Sequence, residues 1–159
     1  VTALETTSVE QRRAAVAAEA LSWLRTPYHH GQGVKGVGVD CAMLLVRTYA
    51  ACGLVPPELD PRPYAFDWHL HRSDEVFLGW LQRHGRELPA EGPGAAGDVQ
   101  VWRYGRCYSH GAVLLGDGRM VHALRALGQV TLGRLDEADL AGRPAKRFRV
   151  HGLAGGGQG

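Results

Sequence analysis

Cysteine is scarce in this chain: Cys41, Cys52 and Cys107 are the whole supply in 159 residues. An odd number at wide, uneven spacing builds no disulfide framework, and no Cys-x-x-Cys pair offers a zinc knuckle. At least one thiol is left free, which favours synthesis in a reducing compartment. Charge of one sign is scarce too. The 18 basic and 16 acidic residues leave a net charge of +2, which argues against a polyanion-binding surface and so against nucleic acid as a partner. No apolar run reaches the roughly 18–20 residues of a membrane span, and no cleavable signal peptide is visible. The expectation is a protein made in the cytoplasm without membrane insertion. Glycine (22) and proline (8) together stay below the share that marks a disordered chain. With 45% hydrophobic residues the chain can bury one proper core.

Local patterns divide the chain in two. Residues 1–7 read as a flexible start and 154–159 as a disordered glycine-rich tail, leaving 8–153 as one domain. Ser8 and Gln11 form a capping box for an alanine-rich helix from Val9 to Leu24, which Pro27 ends. A glycine-punctuated loop covers Tyr28 to Val39. A second helix runs from Asp40 to Ala51, with Gly53 as its C-terminal cap. Residues 54–67 carry four prolines and read as an extended surface segment. A third helix covers Ser73 to His84, with Val76, Phe77, Trp80 and Leu81 on one stripe. From Asp98 the period changes to two, with strands at Val99–Tyr104, Tyr108–Leu115, Met120–Leu124, Gln129–Gly133 and Lys146–Val150. Helices first and antiparallel strands afterwards predict an α+β fold, N-terminal helices packed on a sheet of about five strands.

Cys41 lies where the glycine loop enters the second helix. Unpaired N–H groups and the helix dipole at such a junction favour thiolate over thiol. His110 and His122 lie on adjacent strands, and the turn between them decides whether they cooperate. A two-residue Asp117-Gly118 turn would pair His122 with Val113 and send the two rings to opposite faces. A three-residue Gly116-Asp117-Gly118 loop instead pairs His122 with Ala112 and Leu115 with Arg119. The rings then become diagonal neighbours on one face, roughly 7–8 Å apart at Cα. The three-residue loop, or a bulge, is the expectation. Small residues around His110 (Ser109, Gly111, Ala112) leave room for a helix end, so Cys41 can reach one ring nitrogen of His110 while His122 holds the other. Nucleophile, base and orienter form the minimum set for thiol catalysis.

Other residues carry blander readings. Cys52 and Cys107 are read as core. His69 and His71 are exposed polar positions, and His29 and His30 are candidate contacts at the cleft. Arg143, Lys146, Arg147 and Arg149 read as a solvated edge strand. Trp23, Trp68, Trp80 and Trp102 read as core or partly buried surface. Zinc held by Cys41, His110 and His122 is the competing chemistry, disfavoured by the wide spacing. The expected site therefore contains no metal and needs no cofactor.

Three separated stretches resemble the NlpC/P60 cysteine peptidases, which cut bacterial cell-wall peptides. They are Thr26-Pro27-Tyr28 leading through glycines to Asp40-Cys41, then Gly97-Asp98-Val99, then Ser109 to Ala123 with its closing His122-Ala123. The resemblance spans roughly residues 10–150 and implies a papain-like core. It implies Cys41 as nucleophile, His110 as general base and His122 as orienting residue. Tyr28 matches the tyrosine beside the nucleophile that helps the oxyanion site, and Asp40 matches the aspartate next to it. The Lys35-Gly36-Val37-Gly38 approach is most similar to a phage-tail branch. That branch implies a peptidoglycan stem peptide as substrate, tail-tip proteins as partners and a virion tail or tail-like particle as location. Ala42-Met43 departs from the family pattern after the cysteine, and the departure favours an alternative, a non-catalytic tail-tip or assembly protein keeping the fold.

Overall fold

A computed structural model of the chain describes residues 7–62 and 76–154. The loose start over 1–6, Trp68, His69, His71, the first turn of the third helix at Ser73 and the tail beyond Ala154 lie outside the described residues.

Helix α1 spans Val9–Leu21 behind the expected capping box: Ser8 Oγ accepts the Gln11 N–H and Gln11 Oε1 accepts the Ser8 N–H. It stops three residues earlier than its periodicity predicts. Trp23 and Leu24 close tighter turns onto Ala20 and Leu21, and Arg25 takes φ 72°, giving its N–H to the Val130 carbonyl. That turn swings the chain toward the sheet. A small hairpin follows, β1 (Gly33–Val34) and β2 (Gly38–Val39), anchored where Thr26 Oγ1 accepts the Gly36 N–H at 3.0 Å. Helix α2 spans Cys41–Ala51, burying Met43, Leu44, Leu45, Thr48 and Tyr49. Helix α3 covers Val76–His84 and runs straight into strand β3, Gly85–Leu88.

The remaining strands are β4 (Val99–Tyr104), β5 (Cys107–Leu114), β6 (Arg119–Ala123), β7 (Val130–Arg134) and β8 (Ala145–Val150). A short helix, α4 (Ala138–Ala141), precedes β8. With β3 these five strands form a six-stranded antiparallel sheet in the order β3-β8-β4-β5-β6-β7. The α+β architecture is as expected, with one strand more than the five predicted. β3 has no alternating pattern of its own, and its strand character comes from pairing with Arg147 to Val150.

That pairing also corrects the reading of the basic cluster. β8 is an inner strand. Arg147 is buried, with Nε and Nη2 on Gln100 Oε1 and Nη1 and Nη2 on the carbonyls of Glu91 and Gly92. Arg149 grips Asp98. Guanidinium forks suit such convergent acceptors, and spacing alone does not reveal partners some 50 residues away.

Two apolar clusters sandwich the sheet. Val99, Val101, Val113, Val121, Phe148 and Val150 pack with residues of α1, α2 and α3 on one side. Trp102, Ala112, Leu114, Met120 and Leu140 form a second cluster on the other. β5 is therefore buried along nearly its whole length instead of alternating.

Candidate active site

Asp40 builds the entrance to α2. Its Oδ1 accepts the Met43 N–H at 2.9 Å as helix N-cap, and its Oδ2 accepts the Gly31 N–H at 2.7 Å. One buried carboxylate thus ties the glycine loop to the first turn of the helix. The structure gives Asp40 a scaffolding place, 3.9 Å from His30 Nδ1. Met43 is fully buried and presses on Gly33, where an added Cβ would lie 2.8 Å from its Cε. Ala42 borders an apolar hollow of about 70 Å³ shared with Leu45, Phe77 and Trp80.

Cys41, first residue of α2, sends its thiol to the Ser109 carbonyl at 3.3 Å. The approach depends on Gly111: a Cβ there would fall 2.9 Å from Leu45 Cδ1 and 3.0 Å from Phe77 Cε1. Helix and strand therefore touch where the strand lacks a side chain. Among the described residues the sulfur makes no hydrogen bond to His110, so it is held by the backbone of the residue before it, Ser109.

The hairpin follows the three-residue reading. Ala112 pairs with His122, Leu115 N–H reaches the Arg119 carbonyl, and Gly116 and Gly118 take φ 93° and 84°. Such positive φ values suit glycine. His110 and His122 share one face, with His110 Nε2 3.0 Å from His122 Nδ1. Both rings are buried, at 4% and 1% exposure. His110 is further enclosed by Trp102, stacked at 5.7 Å between centroids, and by Tyr104, edge-on at 5.7 Å. The Arg143 guanidinium covers Tyr104 at 3.7 Å. Sequence reading missed this enclosure, although Trp102 lies directly opposite His110 in the β4–β5 register.

Electrostatics overturn the sharpened-thiol expectation. The surroundings of the sulfur are dense enough that burial pushes the Cys41 thiol up to about 12, with the Asp40 carboxylate adding to the rise. Backbone N–H groups of Gly111, Ala42 and Cys41 pull downward and are outweighed. Burial likewise depresses His110 to about 3, helped by His122 and Arg143, and lowers His122. The resting arrangement is a neutral thiol beside two neutral imidazoles. Tyr28 is pushed well above the usual phenol value by burial, then by Cys41 and Asp40, so its hydroxyl keeps its proton. His29 and His30 are exposed on the loop leading to Cys41. The zinc alternative lacks its convergence, since among the described residues no three metal-ligating side chains meet.

The NlpC/P60 family model matches residues 25–143, which take in every residue of this site. The chain belongs to the NlpC/P60 family. The family core accounts for the bulk of the chain from the turn at Arg25 to Arg143, so the three motifs are parts of one continuous match. Solved structures agree on the fold. The NlpC/P60 domain of the peptidoglycan hydrolase SagA is 22% identical with a TM-score of 0.59, over 84% of this chain and 96% of that one. The peptidoglycan hydrolase RipB from Mycobacterium tuberculosis is 23% identical with a TM-score of 0.62, over 94% and 71%. NlpC2 from Trichomonas vaginalis is 14% identical with a TM-score of 0.63, over 94% and 50%. No curated protein matches the chain in sequence.

Proposed function

We propose that this NlpC/P60 domain is a cysteine peptidase that hydrolyses an amide bond of peptidoglycan stem peptides, with Cys41 as nucleophile and His110 as base. The observation that carries the reading is the 3.0 Å contact of His110 Nε2 with His122 Nδ1 on the strand whose Ser109 carbonyl holds the Cys41 thiol. His122 occupies one ring nitrogen of His110 and leaves Nδ1 for proton exchange. The family match and the two peptidoglycan hydrolases of the same fold supply the substrate class.

Since the resting pair is neutral, proton transfer accompanies attack. The Cys41 proton passes to His110 Nδ1 as sulfur bonds to the amide carbon, and the developing oxyanion is met by N–H groups at the start of α2 and by the Tyr28 hydroxyl. His110 then delivers that proton to the leaving amine as the C–N bond breaks, giving a thioester. Water, deprotonated by His110, cleaves the thioester and restores the thiol. The γ-D-glutamyl to diamino acid linkage is the proposed bond. A tail or tail-like particle is the proposed setting, on the likeness of Lys35-Gly36-Val37-Gly38 to the phage-tail branch.

Digestion of purified cell wall by the wild type and by Cys41→Ala, with products identified by mass spectrometry, tests the reading. New amino termini from the wild type alone support it. Equal release from both proteins refutes it and favours a non-catalytic tail-tip protein, the reading that Ala42 and the protonated thiol support.

A further inference from the structure

His122 has a second ring nitrogen that the site has not yet used. Nε2 is buried and makes no hydrogen bond among the described residues. A buried imidazole nitrogen without a partner is costly, whichever protonation it carries. The atom points at Gly133 on the neighbouring strand β7. A Cβ added to Gly133 would lie 2.7 Å from His122 Nε2 and 2.9 Å from Glu137 Oε1. The missing side chain thus leaves a notch with an imidazole nitrogen on one wall and a carboxylate oxygen on the other. Glu137 is fixed there, since Oε1 also accepts the Arg134 N–H at 2.9 Å. It precedes α4 and is only half-buried.

We propose that Glu137 is a positioning residue that sets the direction of the His110–His122 hydrogen bond by accepting the Nε2 proton of His122 across the Gly133 notch, through one water or after a small shift of the carboxylate. This role for Glu137 follows from counting protons and rests on the peptidase reading above. With both rings neutral, the 3.0 Å contact holds one proton. If it belongs to His122 Nδ1, then His122 Nε2 is a bare lone pair facing a carboxylate, and His110 carries its remaining proton on Nδ1, where no thiol proton can be taken. If it belongs to His110 Nε2, then His122 Nδ1 accepts, His122 Nε2–H points at Glu137, and His110 Nδ1 is a free lone pair. An ionised carboxylate accepts and never donates, so Glu137 selects the second state. The groups facing the two rings are Glu137 on the His122 side and, on the His110 side, Tyr104, Trp102 and Arg143. Among them Glu137 is the carboxylate, and it opposes the effect of burial on His122.

Nitrogen-15 NMR of histidine-labelled protein reads the tautomers without reference to activity. The wild type is expected to show His110 and His122 both protonated at Nε2. Glu137→Gln keeps an oxygen for the Arg134 N–H but can donate to His122, so it is expected to shift His122 toward the Nδ1–H tautomer. In parallel kcat should fall by roughly tenfold or more with KM little changed. Gly133→Ala, which fills the notch, should give the same spectral change. A wild-type His122 protonated at Nδ1, or unchanged tautomers in both variants, overturns the proposal. If tautomers change while no variant or wild type digests cell wall, the peptidase reading fails and the positioning role stands.

Discussion

Arg149 and Asp98 meet through two parallel hydrogen bonds, Nε to Oδ1 at 3.0 Å and Nη2 to Oδ2 at 2.9 Å. Arg13 of α1 adds a third, Nη1 to Oδ1 at 3.2 Å, and its other bonds reach the carbonyls of Ala96 and Leu153. One carboxylate, 1% exposed on its side chain, therefore joins the first helix to the inner strand β8 at the mouth of β4. The aspartate of the Gly97-Asp98-Val99 motif is a structural clamp. Replacing it with alanine leaves two guanidinium groups facing a desolvated gap, at a cost of about 3 kcal/mol or more. Urea unfolding of Asp98→Ala should show that loss, while Arg149→Lys, which forfeits the fork, should lose less.

Acid sensitivity follows from the buried imidazoles. The folded values of His110 and His122 lie below the unfolded one, near 6.5. Protons therefore favour the unfolded chain below that pH. The stability is fully present above about pH 6.5 and is lost as pH falls toward the folded His110 value of about 3. Thermal melts between pH 7 and pH 4 should show a falling midpoint, and the fall should be shallower in His110→Asn. A midpoint flat across this range would contradict the buried neutral pair.

Catalytic pH dependence should lack the usual histidine limb. His110 stays an acceptor until pH drops far below 6.5, so kcat/KM against a soluble stem peptide should hold steady from pH 7 to about 5.5. A half-loss centred near 6.5 would show an ordinary, solvated imidazole instead.

The thiol should resist alkylation in the free protein. With Cys41 held up at about 12, its iodoacetamide reaction should keep accelerating above pH 9, past the free-cysteine value of about 8.5. Peptide mapping separates Cys41 from Cys52 and Cys107. A midpoint below 8 would point to a pre-formed thiolate.

Gly111→Ala probes the helix–strand contact. Its methyl would press on Leu45 and Phe77 at about van der Waals overlap, costing about 1–3 kcal/mol. It would also lever α2 off β5, so the variant should lose turnover out of proportion to its lowered melting temperature.

Much of this geometry was legible in the sequence because it depends on local rules. The capping box at Ser8 and Gln11 and the three-residue loop at Gly116 to Gly118 each follow from a few neighbouring residues. The common face of His110 and His122 then follows from strand periodicity. What escaped depends on distant partners. β3 is a strand only because Arg147 to Val150 lie beside it. Arg147 and Arg149 looked like surface charges because Gln100 and Asp98 are some 50 residues away. The thiol was misjudged for a related reason: the helix start favours the anion, but burial and the capping Asp40 oppose it more strongly. Glu137 was missed because its relation to His122 passes through the absence of a side chain at Gly133.

The segment that leads from α1 into the glycine loop before Cys41 is also stitched to the outermost strand. Arg25 N–H meets the Val130 carbonyl, Val130 N–H meets that of Thr26, and Tyr28 N–H meets that of Gly128. Pro27 bridges Gln129, and Tyr28 then bridges Val39. Where β7 begins, the sheet's border is thus already occupied by its own chain and offers no free ladder for a stray strand to extend. Safeguard against edge-to-edge aggregation and approach to the thiol are built from the same few residues, so a change that loosens one exposes the other.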